Sequence, residues 1–206
     1  MVLMPILVLL LFSLNSFGSR VNVSHFSEQG IKGWKPKIFK NETVYSVVEY
    51  EGSKYIQAMS QQSASGLTKE LKIDLQVTPF LNWSWVIEQI LQGNDEKTKS
   101  GDDFAARIYV IAKTGFGFWN TAALNYVWSN KSPVGDFWPN PFTAKAVMFC
   151  VEQGDAGLGK LRTYKRNVLD DFKQIFNKDI KEIQAIAIMT DTDNSQKNAK
   201  HPLPNS

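Results

Sequence analysis

The chain of 206 residues carries a formal net charge of +3, and 43% of its residues are hydrophobic. A charge this small argues against nucleic acid as a partner, because phosphate binding needs lysine and arginine concentrated on one face. Cys150 is the only cysteine, which excludes an intrachain disulfide, so a packed core must stabilise the fold. Its apolar neighbours predict that the Cys150 thiol is buried.

The N-terminus has the pattern of a secretory signal. Residues from Ile6 to Leu14 are nearly all apolar, and this length is short of the roughly 20 residues that span a bilayer. Small residues around Gly18 suit cleavage by a signal peptidase. We therefore predict a signal peptide over residues 1–18, a single domain over residues 19–206, and a periplasmic or secreted protein with no transmembrane segment in the mature chain. An uncleaved anchor or a buried strand is the alternative interpretation.

Short stretches of alternating apolar and polar residues, bounded by Gly, Pro, Asn and Ser, recur along the rest of the chain. This pattern is typical of an all-β sandwich. It predicts eight strands, over residues 44–51, 53–60, 66–74, 80–90, 105–114, 121–129, 144–153 and 183–190. Apolar residues at helical spacing predict one short helix from Val168 to Phe176. The expected fold is a jelly-roll-like β-sandwich with one short helix, followed by a frayed polar tail from about residue 195.

Acidic residues are concentrated at two strand ends. Asp102 and Asp103 precede one predicted strand, and Asp191, Asp193 and Asn194 end another. Such residues close turns through backbone hydrogen bonds, pair with arginine when buried, or bind calcium, which takes about 6–8 oxygen ligands. All three interpretations stay open. Calcium is the one cofactor that this pattern suggests, with Asp102, Asp191, Asp193 and Asn194 as the candidate ligands.

Arg107 lies on a predicted strand immediately after the first acidic cluster. A guanidinium group pairs bidentately with carboxylate, so its expected partners are Asp103, Asp191 or Asp193. One hypothesis is an ion-pair network that fixes the strands. The other is a polar groove in which Arg107, the aspartates and Asn125 hydrogen-bond the hydroxyl groups of a ligand.

Six tryptophans give the chain an aromatic set that suits either a core or a sugar-binding face. Trp83 and Trp85 alternate on one predicted strand, and Trp128 lies on another. Tryptophan is often only partly buried, and aromatic planes stack on the C–H faces of sugar rings. Core packing is the simpler interpretation for each of them. Trp119 and Trp138 lie in predicted loops and are expected to be exposed.

Several motifs together resemble a known family. They are Ser60–Leu67 (SQQSASGL), Thr78–Trp85 (TPFLNWSW), Gly101–Arg107 (GDDFAAR), Leu124–Trp128 (LNYVW), Arg166–Val168 (RNV) and Ala187–Asn194 (AIMTDTDN). In this order, from about Phe39 to Asn194, they resemble the secreted bacterial proteins grouped as domain of unknown function 3047. That resemblance implies no established activity. The order of features is also similar to galactose-binding-like sandwiches, including carbohydrate-binding modules, and the residues after Asn194 lack the closing strand that the family resemblance implies.

These patterns favour a non-catalytic binding module for carbohydrate or cell-envelope glycan. The residues expected to line its ligand site are Asp103, Arg107, Asn125, Trp128, Asp191 and Asp193. One alternative is a glycan-active hydrolase that uses paired carboxylates, Asp102 or Asp103 with Asp191 or Asp193, and it predicts a cleft with acids about 5–10 Å apart. The other is an envelope structural protein with no small ligand, which predicts that the same residues form a closed network. The sequence does not determine the oligomeric state.

Overall fold

The computed structural model describes residues 6–12, 20–115 and 120–195, which form two β-sheets. Strands of the first sheet are β1 (Ile6–Phe12), β2 (Val21–Asn22), β4 (Val44–Tyr50), β5 (Ser53–Met59), β7 (Phe80–Ile87) and β12 (Arg162–Asn167). Strands of the second sheet are β3 (Lys35–Lys40), β6 (Ala64–Asp74), β8 (Arg107–Lys113), β9 (Thr121–Ser129), β10 (Phe137–Asn140), β11 (Thr143–Gln153) and β13 (Glu182–Asp191). The first sheet has the order β12-β7-β1-β5-β4 with β2 beside β1, and the second has the order β10-β11-β9-β8-β13-β6-β3.

One hydrophobic core joins the two sheets. It includes alternate residues of β7 from the first sheet and of β8, β9 and β13 from the second. Large aromatic side chains meet across the interface: the Trp83 and Tyr126 ring centroids lie 5.1 Å apart, and those of Trp85 and Trp128 lie 6.3 Å apart. Burying large apolar side chains of this kind contributes about 1.5–3 kcal/mol each. Trp83 and Trp85 are therefore core residues, as the simpler interpretation expects.

The expected all-β sandwich with a short helix is confirmed. All eight predicted strands are present, with ends that shift by a few residues, and the helix α2 spans Val168–Phe176. A single helical turn, α1 (Phe26–Gln29), precedes β3. The five strands that the sequence pattern does not predict are β1, β2, β3, β10 and β12.

Helix α2 is fixed at its N-terminal end by polar contacts. The Asn167 side chain caps its N-terminus by accepting from the Asp170 backbone N–H at 3.3 Å. Within the first turn, buried Asp171 accepts a hydrogen bond from the Tyr126 hydroxyl at 2.6 Å and pairs with Arg166. Asp171 therefore ties the helix to the core through β9 and to β12 through Arg166.

The N-terminal apolar stretch is a strand in this structure. Ile6–Phe12 pairs with β7 along its whole length and with β5 at two positions. The predicted signal peptide includes this strand, and its cleavage stays a prediction. Trp119 and the tail from residue 196 lie outside the described residues. No helix in the described ranges has the length and apolar character needed to cross a membrane.

The topology brings three loops together at one end of the sandwich. Strands β9 and β11 pair in parallel, so their C-terminal ends lie side by side. The loop after β11 returns to the end of β7, where the Gly159 backbone N–H donates to the Ile87 carbonyl at 2.8 Å. The loops that follow β7, β9 and β11 therefore share one edge of the molecule.

Candidate functional site

Arg107 forms a buried ion pair with Asp191. Its Nε donates to Asp191 Oδ1 at 3.0 Å, and its Nη2 contacts the other oxygen of the same carboxylate. Asp191 Oδ1 also accepts from the Phe104 backbone N–H at 3.1 Å. Arg107 is 3% exposed and Asp191 is 1% exposed. The bidentate pair joins β8 to β13, which are neighbours in the second sheet.

Asp102 completes the other side of the guanidinium group. Its backbone carbonyl accepts from Arg107 Nη2 at 2.6 Å, and its Oδ2 accepts from Asn140 Nδ2 at 2.9 Å and from Arg107 Nη1 at 3.4 Å. Burial raises the pKa of Asp102, and this shift is opposed by Arg107 and by the Asn140 hydrogen bond. Arg107 and Asn140 therefore favour the ionised form of the Asp102 carboxyl group.

Asp103 is enclosed by backbone donors from the segment after β13. Its two oxygens accept from the backbone N–H groups of Asp193 at 3.1 Å, Asn194 at 3.0 Å and Ser195 at 2.6 Å. The Asn194 side-chain amide donates to it at 3.3 Å. A carboxylate inside a run of backbone N–H groups fixes a turn. The turn and the ion-pair interpretations of the acidic residues therefore both describe this region.

The candidate metal ligands lie close together, but donors already face them. Asp103, Asp191 and Asp193 have carboxylate oxygens within 4.8 Å of one another. The guanidinium group of Arg107 contacts Asp191, and Asn194 presents its N–H₂ group to both Asp103 and Asp193. Calcium needs about 6–8 oxygen ligands with free lone pairs. This arrangement of donors fits a carboxylate network better than it fits a cation.

The six predicted ligand-contacting residues do not share an open surface. Asp103, Arg107 and Asp191 are buried in the network, and Asn125 and Trp128 are 0% and 1% exposed. Only Asp193 is partly exposed, beside Lys40 at 3.6 Å. Their contact with a ligand stays a prediction, and the geometry does not favour it.

Asn125 and Trp128 have partners within the chain. The Asn125 side chain donates to the Val147 carbonyl at 3.3 Å, and the Trp128 indole donates to the Gly154 carbonyl at 2.8 Å. Trp128 thereby holds the start of the loop after β11. Its buried ring has no free face on which a sugar could stack.

The predicted exposure of Trp138 is wrong. Trp138 is 5% exposed and packs in a small cluster on the outer face of the second sheet. Its ring stacks on Phe104 with centroids 6.5 Å apart, and its indole N–H donates to the Glu96 carbonyl at 3.4 Å. The loop before β8 covers this face, which the sequence pattern does not indicate.

A pocket of about 390 Å³ opens where the loops after β7, β9 and β11 meet, and we call it the strand-end pocket. Its size falls in the range of about 300–1,000 Å³ that is usual for small-molecule sites. The residues that line it are Ile90, Gln92, Gly93 and Asn94 after β7, Asn130 and Lys131 after β9, and Gly154 and Asp155 after β11. Except for Ile90 and the glycines, these side chains are polar or charged.

Two amide groups of the strand-end pocket lack partners. The Nδ2 atoms of Asn94 and Asn130 are buried and donate no hydrogen bond to any residue that the structure describes, and Asn94 as a whole is 4% exposed. A buried donor without a partner costs about 1–3 kcal/mol. Other unpartnered atoms, such as Asn125 Oδ1, belong to residues that do not line the pocket. Asn94 and Asn130 therefore each combine an unpartnered donor with a position in the wall of the pocket.

Glu96 holds the pocket wall in place. One carboxylate oxygen accepts from the Asn130 backbone N–H at 2.7 Å, and the other contacts the Ser129 hydroxyl. Glu96 is 2% exposed, and burial raises its pKa although both hydrogen bonds oppose that shift. The Gly154 backbone N–H donates to the Ser129 carbonyl at 2.9 Å. The loops after β9 and β11 are therefore fixed to each other and to the loop after β7.

The sequence interpretation missed the pocket residues. Asn94, Asn130 and Asp155 each follow a predicted strand and look like ordinary turn residues. The signal that could have found them is the same strand-end position that singled out the aspartates. A strand-end position indicates a shared site here only when β9 and β11 are known to pair in parallel.

Comparison with known proteins identifies a family and no activity. The model of a family described as "Protein of unknown function (DUF3047)" matches residues 32–202. No curated protein matches the sequence. Among solved structures, a mutant of ENZbleach xylanase is 9% identical, with 84% of this chain and 92% of the xylanase chain covered and a TM-score of 0.19. A likeness this weak carries no argument about fold or function. Since the family model covers most of the chain, the protein belongs to the DUF3047 family.

Proposed function

We propose that the protein is a non-catalytic binding protein for a carbohydrate or cell-envelope glycan, and that the strand-end pocket holds the ligand. The observation that carries the proposal is that two residues in the wall of an open pocket of about 390 Å³, Asn94 and Asn130, each keep a buried carboxamide nitrogen without a partner among the described residues. Sugars are dense in oxygen atoms that accept hydrogen bonds from such groups. The predicted signal peptide would deliver the protein to the compartment that contains envelope glycans.

The lining of the pocket supports binding over hydrolysis. Asp155 is the only carboxylate among its lining residues. Glycosidases use two carboxyl groups, one on each side of the scissile bond. The paired acids that the hydrolase hypothesis names are engaged with Arg107 and with backbone N–H groups. An amide-rich pocket with a single acid suits a site that holds a sugar without cleaving it.

The closed network around Arg107 favours a second candidate, an envelope structural protein with no small ligand. That hypothesis expects the aspartates to be satisfied within the chain, and most of their oxygens have partners. It gives no role to the strand-end pocket. The two proposals therefore differ in whether Asn94 and Asn130 contact anything.

A glycan microarray with the purified full chain tests the proposal. We expect a hit that is lost when Asn94→Leu and Asn130→Leu are combined, because the leucines keep volume and remove the donors. Gln174→Leu is the control, since Gln174 is an exposed amide on α2. This helix lies beyond the Phe80 end of β7, which pairs with Asn167, and so at the opposite end of that strand from the pocket. If folded wild-type protein binds no glycan, the proposal is wrong and the structural hypothesis stands.

A further inference from the structure

We infer that the strand-end pocket takes the carboxylate of an acidic sugar, such as a hexuronic acid unit of a polysaccharide. The inference rests on the proposed glycan-binding function and adds the class of sugar. Three properties of the lining carry it: the unpartnered donors, a lysine without an ion pair, and the position of one carboxylate on a different loop.

The unpartnered groups are donors. Asn94 Nδ2 and Asn130 Nδ2 each carry N–H bonds and lack an acceptor. A sugar hydroxyl can accept such a bond, but it brings a proton of its own that needs a further acceptor. A carboxylate only accepts, and its two oxygens can face two N–H₂ groups at once. Two donor groups on residues of one pocket wall therefore match a carboxylate more completely than they match a hydroxyl.

The one cation of the lining favours the same group. Lys131 lines the pocket and forms no ion pair within 4.0 Å among the residues that the structure describes. Hydrogen bonds between an ammonium group and a carboxylate are shorter and about twice as strong as neutral ones. Lys131 directly follows Asn130, so the cation and one of the unpartnered donors lie on the same loop. An acidic sugar would supply the missing charge.

Asp155 sets the orientation of the sugar. It lines the pocket from the loop after β11, whereas Asn94 and the Asn130–Lys131 pair lie on the other two loops. Asp155 repels a carboxylate and accepts hydrogen bonds from hydroxyls. A hexuronic acid carries both groups on one ring, so its acid can face the donors while its ring hydroxyls face Asp155. An N-acetyl sugar has a carbonyl acceptor but no charge to match Lys131.

Calorimetric titration of the full chain with matched oligosaccharides tests the inference. The probes are oligogalacturonate, the neutral galactose oligomer of equal length, and an N-acetylglucosamine oligomer. We expect oligogalacturonate to bind most tightly, with an affinity that falls as salt is added. Lys131→Met should weaken its binding about tenfold, since it removes one charge-assisted hydrogen bond, and should change neutral binding less than about twofold. Lys178→Met, an exposed lysine after α2, is the matched control.

The outcomes separate this inference from the proposed function. Equal or tighter binding of a neutral or N-acetylated oligomer would overturn the preference for acid and leave glycan binding intact. If Lys131→Met and Lys178→Met weaken oligogalacturonate binding equally, the attraction comes from the overall surface charge of the protein. That result would also overturn the inference. If no oligosaccharide in either this series or the microarray binds to folded protein, both proposals are wrong.

Discussion

The Arg107 network and the strand-end pocket are both built from polar residues at strand ends, yet they differ in where those residues find partners. In the network, Arg107 and backbone N–H groups satisfy the oxygens of Asp191 and Asp103. In the pocket wall, Asn94 and Asn130 keep buried donors without acceptors among the described residues. The comparison teaches that an unsatisfied polar residue at a strand end indicates a ligand only when it also lines a pocket, because Asp102 Oδ1 also lacks a partner in the described part of the chain but Asp102 does not line the strand-end pocket.

Breaking the network should have the largest effect on stability. Arg107→Met leaves Asp191 and Asp102 buried without their cation, and removal of one partner from a buried pair costs about 3–5 kcal/mol. Urea unfolding measures the loss. The control is Arg162→Met, whose ion pair with Glu152 spans 2.8 Å but whose side chain is 45% exposed, so its loss should be at most about 1 kcal/mol. Equal losses in the two variants would show that burial adds nothing to the Arg107 pair.

Gly101→Ala should disturb both regions at once, because the loop from Gln92 to Ala106 carries Asn94 as well as Asp102. A Cβ at Gly101 would overlap the Asp95 carbonyl oxygen and lie 2.7 Å from its carbon atom. We expect a loss of about 1–3 kcal/mol from the forced backbone shift, measured by urea unfolding. In Gly115→Ala the nearest atom would be at 3.4 Å, so that control should stay near wild type. If Gly101→Ala leaves the free energy of unfolding unchanged, the loop can shift its backbone at no energetic cost.

Glu96→Gln should change the pH dependence of stability at the pocket wall. Because burial raises the Glu96 pKa, the folded state holds the proton more tightly than the unfolded chain. The free energy of unfolding should therefore fall as pH rises from about 4.5, the ordinary value, through the raised pKa. Glu96→Gln removes this contribution, and it also removes one acceptor at a cost of about 1–2 kcal/mol. Urea titrations at several pH values measure the slope, and an unchanged slope would contradict the assigned shift.

The pocket donors should affect stability least. Asn94→Leu replaces a residue with an unpartnered buried donor by an apolar side chain of similar volume, so we expect no loss of stability and a gain of about 1 kcal/mol. Thermal unfolding without ligand measures it. A large loss would show that Asn94 has a partner in the folded protein and would remove the contrast with Arg107.

The sequence predicts the fold well where strands have one buried face. Strand β7 alternates between half-buried and buried residues over most of its length because one face covers the core, and α2 shows its helical period. Edge strands lack that pattern: all six residues of β3 are exposed, and the residues of β12 are polar or charged apart from Tyr164, whose ring stacks on Trp83 with centroids 5.2 Å apart. Their positions depend on pairing with β6 and β7, which the local sequence does not encode.

The candidate site was predictable only in part for the same reason. The pairing of Arg107 with Asp191 follows from the need of a buried carboxylate for a cation. The pocket depends on the parallel pairing of β9 with β11, since this places Asn130 beside Asp155. Parallel neighbours are separated by a crossover, so residues with no local signal become neighbours in space.

The position of β13 has a consequence for how the protein is made. In the second sheet β13 lies between β8 and β6, so the pair β3–β6 joins the other four strands only through β13. Residues of β6 pair with residues of β13 more than 100 positions later in the chain. During synthesis, a nascent chain that has not reached residue 182 holds the sheet in two unconnected halves. Such long-range pairing slows folding, so the second sheet can close only after nearly all of the described chain has been made.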